Sequence, residues 1–189
     1  MKRNIFCILV FLFFQFLCVA QKNRKLAFSS INQFGIAWGG TEDALQLQTI
    51  NGVAYKTYSA GLGIGLDYYW ERTVPLFIDV RKNIFPKKQT PFVYADGGVS
   101  VPWVKENKED TWYKSSYSTG SYFDIGIGYR VPVSKKLFAN MSFGYTQKKQ
   151  REQRDNEMVM FDFGPYGQNH NEHYDYTLRR FSLKAGLSF

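Results

Sequence analysis

Apolar and polar residues alternate along most of this chain with a period of two, the spacing of a β-strand that shows one face to an apolar medium and the other to a polar one. The clearest run is at Gly61, where Leu62, Ile64, Leu66, Tyr68 and Trp70 alternate with Gly61, Gly63, Gly65, Asp67 and Tyr69. Reading outward from it predicts up to eight strands. The first covers Ile31 to Gly39, with Phe34, Ile36 and Trp38 on one face. The second, around Leu45, Leu47 and Thr49, has the weakest pattern, and Asn51–Gly52 suits a tight turn or a bulge. In the fourth, Leu76, Ile78 and Val80 oppose Phe77, Asp79 and Arg81. In the fifth, Val93, Ala95, Gly97, Val99 and Val101 oppose Phe92, Tyr94, Asp96, Gly98 and Ser100. The sixth and seventh place Phe123, Ile125, Ile127 and Tyr129, then Leu137, Ala139, Met141, Phe143 and Tyr145, on their apolar faces. The last runs from about Thr177 to Phe189, where Phe181, Leu183, Ala185, Leu187 and Phe189 alternate with Ser182, Lys184, Gly186 and Ser188.

The connections have a parity. With the first strand running upward, those at one end are Gly39 to Ala44, Glu71 to Val74, Trp103 to Thr119 and Lys148 to Tyr176. Those at the other are Val53 to Ser59, Lys82 to Thr90 and Val131 to Lys136. The two longest share an end, as in barrels with long outer loops, short inner turns and both termini inside. The mixed-charge run Gln147 to Glu157 is expected to be a solvated loop tip.

The start of the chain is different. Lys2 and Arg3 precede an apolar run from Ile5 to Phe14, closing on Cys18, Val19 and Ala20, the pattern of a secretory signal peptide cleaved before Gln21. The expected organisation is a leader over 1–20 and one domain over 21–189. Both cysteines, Cys7 and Cys18, fall in the leader, so the expected mature chain has no thiol chemistry or disulfide. Losing Lys2 and Arg3 lowers the formal charge from +8 to +6. A basic exported chain suits anionic lipid head groups better than nucleic acid. Aromatic residues make up 18% of the sequence and Gly is frequent, which fits strands that turn only every second residue to lipid.

Together these segments, above all the leader, GLGIGLDYY at Gly61, PFVYADGG at Pro91 and the terminal Phe189, resemble the small outer-membrane β-barrel domain proteins of Gram-negative bacteria, of the type common among Bacteroidota. The resemblance implies an all-β, eight-stranded antiparallel up-and-down transmembrane barrel in the cell outer membrane. It further implies that Phe189, Leu187 and Ala185 form an assembly signal read by the barrel-assembly machinery.

Candidate chemistry is sparse. The charged residues Asp67, Asp79, Arg81, Asp96, Asp124, Arg130 and Lys184, with Asn140, fall on the polar faces, where a narrow lumen favours mutual pairing over isolated charge. A structural lumen network is expected, with an ion path as the sharper alternative. Lys148, Lys149, Arg151 and Arg154 are candidates for contacts to lipopolysaccharide phosphates. The histidines, His170 and His173, lie in the polar segment NHNEHYDY without a neighbouring serine or metal-binding spacing. No catalytic residue, cofactor or metal is expected. The functional expectation is therefore a non-enzymatic barrel with a structural or surface-interaction role, with outer-membrane lipid and lipopolysaccharide as partners and no nucleic acid. Two alternatives remain open. One is a soluble lipocalin-like carrier, whose apolar faces would point inward around a ligand. The other is a lipid A-modifying enzyme using His170 or His173.

Overall fold

A computed structural model describes residues 26–39, 43–68, 72–103, 114–155 and 171–189; the expected leader lies outside them. The described chain is a β-sheet closed on itself. Its strands are β1 (Ala27–Trp38), β2 (Ala44–Tyr55), β3 (Tyr58–Tyr68), β4 (Arg72–Asn83), β5 (Thr90–Pro102), β6 (Lys114–Ser118), β7 (Gly120–Pro132), β8 (Phe138–Asp155) and β9 (Asn171–Ser188). Eight of them, all but β6, pair antiparallel with their neighbours in turn, and β9 closes the ring by pairing with both β8 and β1. Closure removes the open edges that a flat sheet of this size would leave. The terminal residue takes part: Ser30 N–H donates to the Phe189 carbonyl at 2.8 Å, and Phe189 N–H donates to that of Ser30 at 3.0 Å.

The predicted faces hold, and they point apolar side outward. Phe34, Leu47, Leu62, Ile78, Ile127, Met141 and Leu183 are all exposed on the outer wall. The soluble-carrier alternative required the opposite orientation. The outer band is interrupted at one place, on β1 and β2, where Asn32, Thr49 and Asn51 stand among apolar neighbours and the Thr49 hydroxyl donates to Asn32 Oδ1 at 2.8 Å.

Four sequence expectations need correction. Asn51–Gly52 makes neither a turn nor a bulge: both residues sit in the regular β1–β2 ladder, opposite Ser30 and Ser29. The hairpin turn is instead the two-residue Lys56–Thr57, with Lys56 at a φ of 54°, the positive value that primed hairpin turns demand. The fourth strand starts at Arg72, inside the expected Glu71 to Val74 connection. Third, the charged run after Gln147 is not a loop tip as far as Asp155, because β8 continues through it, paired residue for residue with Asn171 to Arg179 of β9. Fourth, the expected loop after Trp103 contains β6, which pairs with this upper part of β8. The barrel therefore carries a three-stranded extension, β6–β8–β9, beyond its outer end. Residues 156–170 of the expected outer loop lie outside the described residues, as do Tyr69 and Trp70.

Local chemistry explains two details of the ladder. Gly63 lies opposite Phe77, and a Cβ at Gly63 would overlap the Phe77 ring, so the glycine makes room for the aromatic to lie across it inside the barrel. Pro75 has no N–H to give, and the β3–β4 ladder is interrupted at Gly65 and Leu66, facing Pro75 and Val74, before resuming at Asp67 and Thr73.

Candidate functional site in the barrel interior

Inward-facing positions follow directly from strand parity, and eight strands enclose a lumen that side chains can fill. Here the filling is largely polar, beside a small apolar cluster of Ile31, Ile50, Phe77 and the Tyr122 ring. Ladder register brings Asp79 of β4, Asp96 of β5 and Asp124 of β7 side by side in one row across three neighbouring strands. Three adjacent carboxylates away from water need cations. Lys184 reaches into the row from β9: its Nζ lies 2.7 Å from Asp124 and 3.9 Å from Asp96, and its side chain is 1% exposed. Arg81 covers the third, with Nε 2.7 Å from Asp79.

Neutral groups join these pairs into one network. Tyr94 donates its hydroxyl to Asp124 at 2.8 Å, and its ring lies 4.7 Å below the Lys184 ammonium. Gln33 of β1 donates to Gln48 of β2 at 2.7 Å, Gln48 donates to the Tyr122 hydroxyl at 2.9 Å, and Tyr122 donates to Asp124 at 3.3 Å. Arg81 closes the circuit with a 3.4 Å bond to Gln33. Strands β1, β2, β4, β5, β7 and β9 are thus tied together across the lumen at mid-height.

A second, separate pair lies toward the outer end. Lys148 of β8 is buried, 3.0 Å from Asp67 of β3 and hydrogen-bonded to Thr73 of β4. This changes the reading of Lys148. Grouped by sequence with Lys149, Arg151 and Arg154 as an outer-surface contact, it faces the interior, because β8 keeps its alternation through Asn140, Ser142, Gly144 and Thr146 and position 148 falls on the same side. Lys149 and Arg151 are exposed. Asp175 beside Arg151, by hydrogen bond and charge, pushes the guanidinium up from its ordinary value, and the pair is 2.8 Å apart in the open. Arg154 lies in β8 opposite Ser115 of β6 and Glu172 of β9.

At the inner end Arg130 stands apart from the network, its guanidinium 3.6 Å over the Phe138 ring. Of the charged residues marked by sequence, Asp79, Arg81, Asp96, Asp124 and Lys184 come together, Asp67 pairs elsewhere with Lys148, and Arg130 joins neither group. Gln33, Gln48, Tyr94 and Tyr122 also take part; strand parity alone marks them as inward, and partner choice depends on register. Thr73 falls in the expected Glu71 to Val74 connection and carries no such mark.

At the end of the chain, Phe189 and Leu187 are exposed on the outer wall, and Ala185, the preceding residue on that face, is half-buried. His173 lies in β9 opposite Gln153, and His170 is outside the described residues. Among the described residues no group of three or more His, Cys, Asp or Glu side chains is placed to hold a metal ion.

No protein-family model and no curated protein matches the chain. Solved structures match it in fold. The outer membrane protein AlkL, determined by solid-state NMR in DMPC lipid bilayers, superposes with a TM-score of 0.52 over 86% of this chain and 88% of its own, at 12% identity. The outer membrane protein OprG from Pseudomonas aeruginosa superposes with a TM-score of 0.51 over 88% of this chain and 96% of its own, at 11% identity. At such identity the likeness is one of architecture: this chain folds as an eight-stranded antiparallel barrel similar to those of small outer-membrane proteins.

Proposed function

We propose that this protein is a non-enzymatic transmembrane barrel of the outer membrane of a Gram-negative cell, delivered by a cleaved leader over 1–20, with a structural or surface-interaction role. The observation that carries the reading is the inversion of the usual arrangement, with buried Asp, Lys, Arg and Gln inside and exposed Leu, Ile, Val and Phe outside. Soluble monomers rarely expose apolar patches beyond a few hundred Å². A continuous apolar wall is stable against hydrocarbon, and a closed barrel is one of the two backbone solutions that can stand there.

Fractionation of cells expressing the full chain tests this, together with deletion of Phe189. The expected result is heat-modifiable protein in the outer membrane, and a reduced yield on deletion, since Phe189 with Leu187 and Ala185 would be the signal read by the barrel-assembly machinery. Recovery as a soluble periplasmic protein would overturn the membrane reading. Unchanged insertion of the shortened chain would leave Phe189 as no more than part of the outer wall.

The polar core supports a rigid barrel rather than a diffusion pore, which directs the interaction role to the β6–β8–β9 extension. Lys149, Arg151 and Arg154 on that extension are proposed to meet lipopolysaccharide phosphates, an attraction that salt weakens. Reversing all three charges to Glu is expected to sensitise the outer membrane to detergents; unaltered sensitivity would rule the contact out.

A further inference from the structure

We infer that the inner mouth of the barrel is a binding site for a small organic anion, a carboxylate or phosphate monoester carried on a flat apolar body. This goes beyond the structural and surface role proposed above and does not depend on it.

Below the mid-height network lies a cavity of about 450 Å³, ringed by Lys56 of the β2–β3 turn, Arg81, Arg130, and Lys135 and Lys136 of the β7–β8 turn. Among the described residues no Asp or Glu side chain lines it. Asp79 answers Arg81, which leaves Lys56, Arg130, Lys135 and Lys136 to give the mouth an excess of positive charge, beyond what one carboxylate at Phe189, also at the rim, could offset.

Two of its groups are donors without acceptors. Arg130 and Asn140 are directly opposed in the β7–β8 ladder. Arg130 Nε and Asn140 Nδ2 are both buried with no hydrogen-bond partner, and Asn140 as a whole is only 6% exposed. Leaving buried donors unmet is costly, and a charged one more so. An arginine can bind a planar anion through its fork of N–H groups. An amide donor beside it would supply a further bond to the same head group. The apolar body has a place as well, because the Phe92 and Phe138 rings line the cavity.

The test is titration of the folded barrel in detergent micelles with benzoate, phenyl phosphate and neutral benzamide, followed by NMR at the Asn140 side-chain amide and Arg130 Nε–H. One or both anions should shift these signals saturably, and which one does so identifies the head group. Benzamide should bind about tenfold or more weakly, the loss expected when a charge-assisted bond becomes a neutral one. Arg130→Gln and Asn140→Asp should each weaken anion binding by about tenfold or more. Asn140→Asp should also raise the thermal midpoint, since it gives Arg130 a carboxylate of its own. Absence of a saturable shift with either anion, equal affinity for benzamide, or undiminished affinity in either variant would overturn the inference. The titration of the native protein decides the matter even where a variant fails to fold.

Discussion

Ile127→Arg is expected to cost about 2–4 kcal/mol when the barrel is folded in phospholipid vesicles, the range for a cation near the middle of a lipid-facing barrel wall. Ile127 is 64% exposed, and its ladder neighbours Val93 and Phe143 face outward on either side. In water the same change, at a site so open, would be worth no more than about 0.5 kcal/mol either way. Sign and size therefore report the medium around the wall rather than a contact within the protein. The measurement is the urea midpoint of folding into vesicles, with Val133→Arg as the companion. Val133 is also exposed but lies in the inner β7–β8 turn, where the penalty should fall to about 0–1 kcal/mol. An Ile127→Arg midpoint equal to that of the native chain would remove the main support for a membrane-embedded wall.

Lys184→Met is expected to be the most damaging single change inside the lumen, at about 3–5 kcal/mol, because removing one partner of a buried ion pair strands the other. Lys184 is shared between Asp124 and Asp96 and bonded to Gln48, so its loss leaves a row of carboxylates with Arg81 as its remaining cation in that network. Methionine nearly preserves the volume, which separates the electrostatic loss from a packing defect. Adding Asp124→Asn should restore part of the stability, since it removes the carboxylate that Lys184 approaches more closely, leaves Asp96 beside Asp79 and Arg81, and keeps an amide oxygen to accept from Tyr94. A double variant no more stable than the single one would mean that packing, not charge, makes Lys184 important. Arg151→Gln serves as the control: that ion pair lies in the open, where pairing contributes little.

What could be read from sequence depended on how different the two sides of each strand are. Wherever one face meets an apolar medium and the other a polar lumen, as from Leu62 to Tyr68 or Phe123 to Tyr129, alternation named the strand and its faces. Beyond the outer rim that contrast vanishes. From Gln147 to Asp155 polar residues occupy both faces and no period is left to detect, so this stretch reads as a loop although β8, legible up to Thr146, continues through it. The same truncation misassigned Lys148, although counting by twos from Asn140 would have placed it inside. The second strand is present where Leu45, Leu47 and Thr49 place it, but its pattern is faint and its end misread for a related reason: Thr49 and Asn51 put polar groups on the outer wall, and Asn51–Gly52 imitates a turn. The pairs themselves were not legible. Asp67 meets Lys148, and Asp124 meets Lys184, only because the ladders set residues distant in sequence at one height.

The closing strand is held unequally. All 18 residues of β9 are laddered to β8, but only Phe181 to Ser188 meet β1, plus the terminal pair between Phe189 and Ser30. The β8–β9 hairpin joins neighbours in the chain, whereas the β1–β9 junction joins strands from opposite ends and must overcome the larger loop-closure entropy. That junction is accordingly the last to form and the first to part when the barrel breathes, and amide hydrogen exchange along Ile31 to Trp38 on the β9 side should outpace exchange along the β8–β9 ladder. The ring has a zip, and it lies between the two ends of the chain.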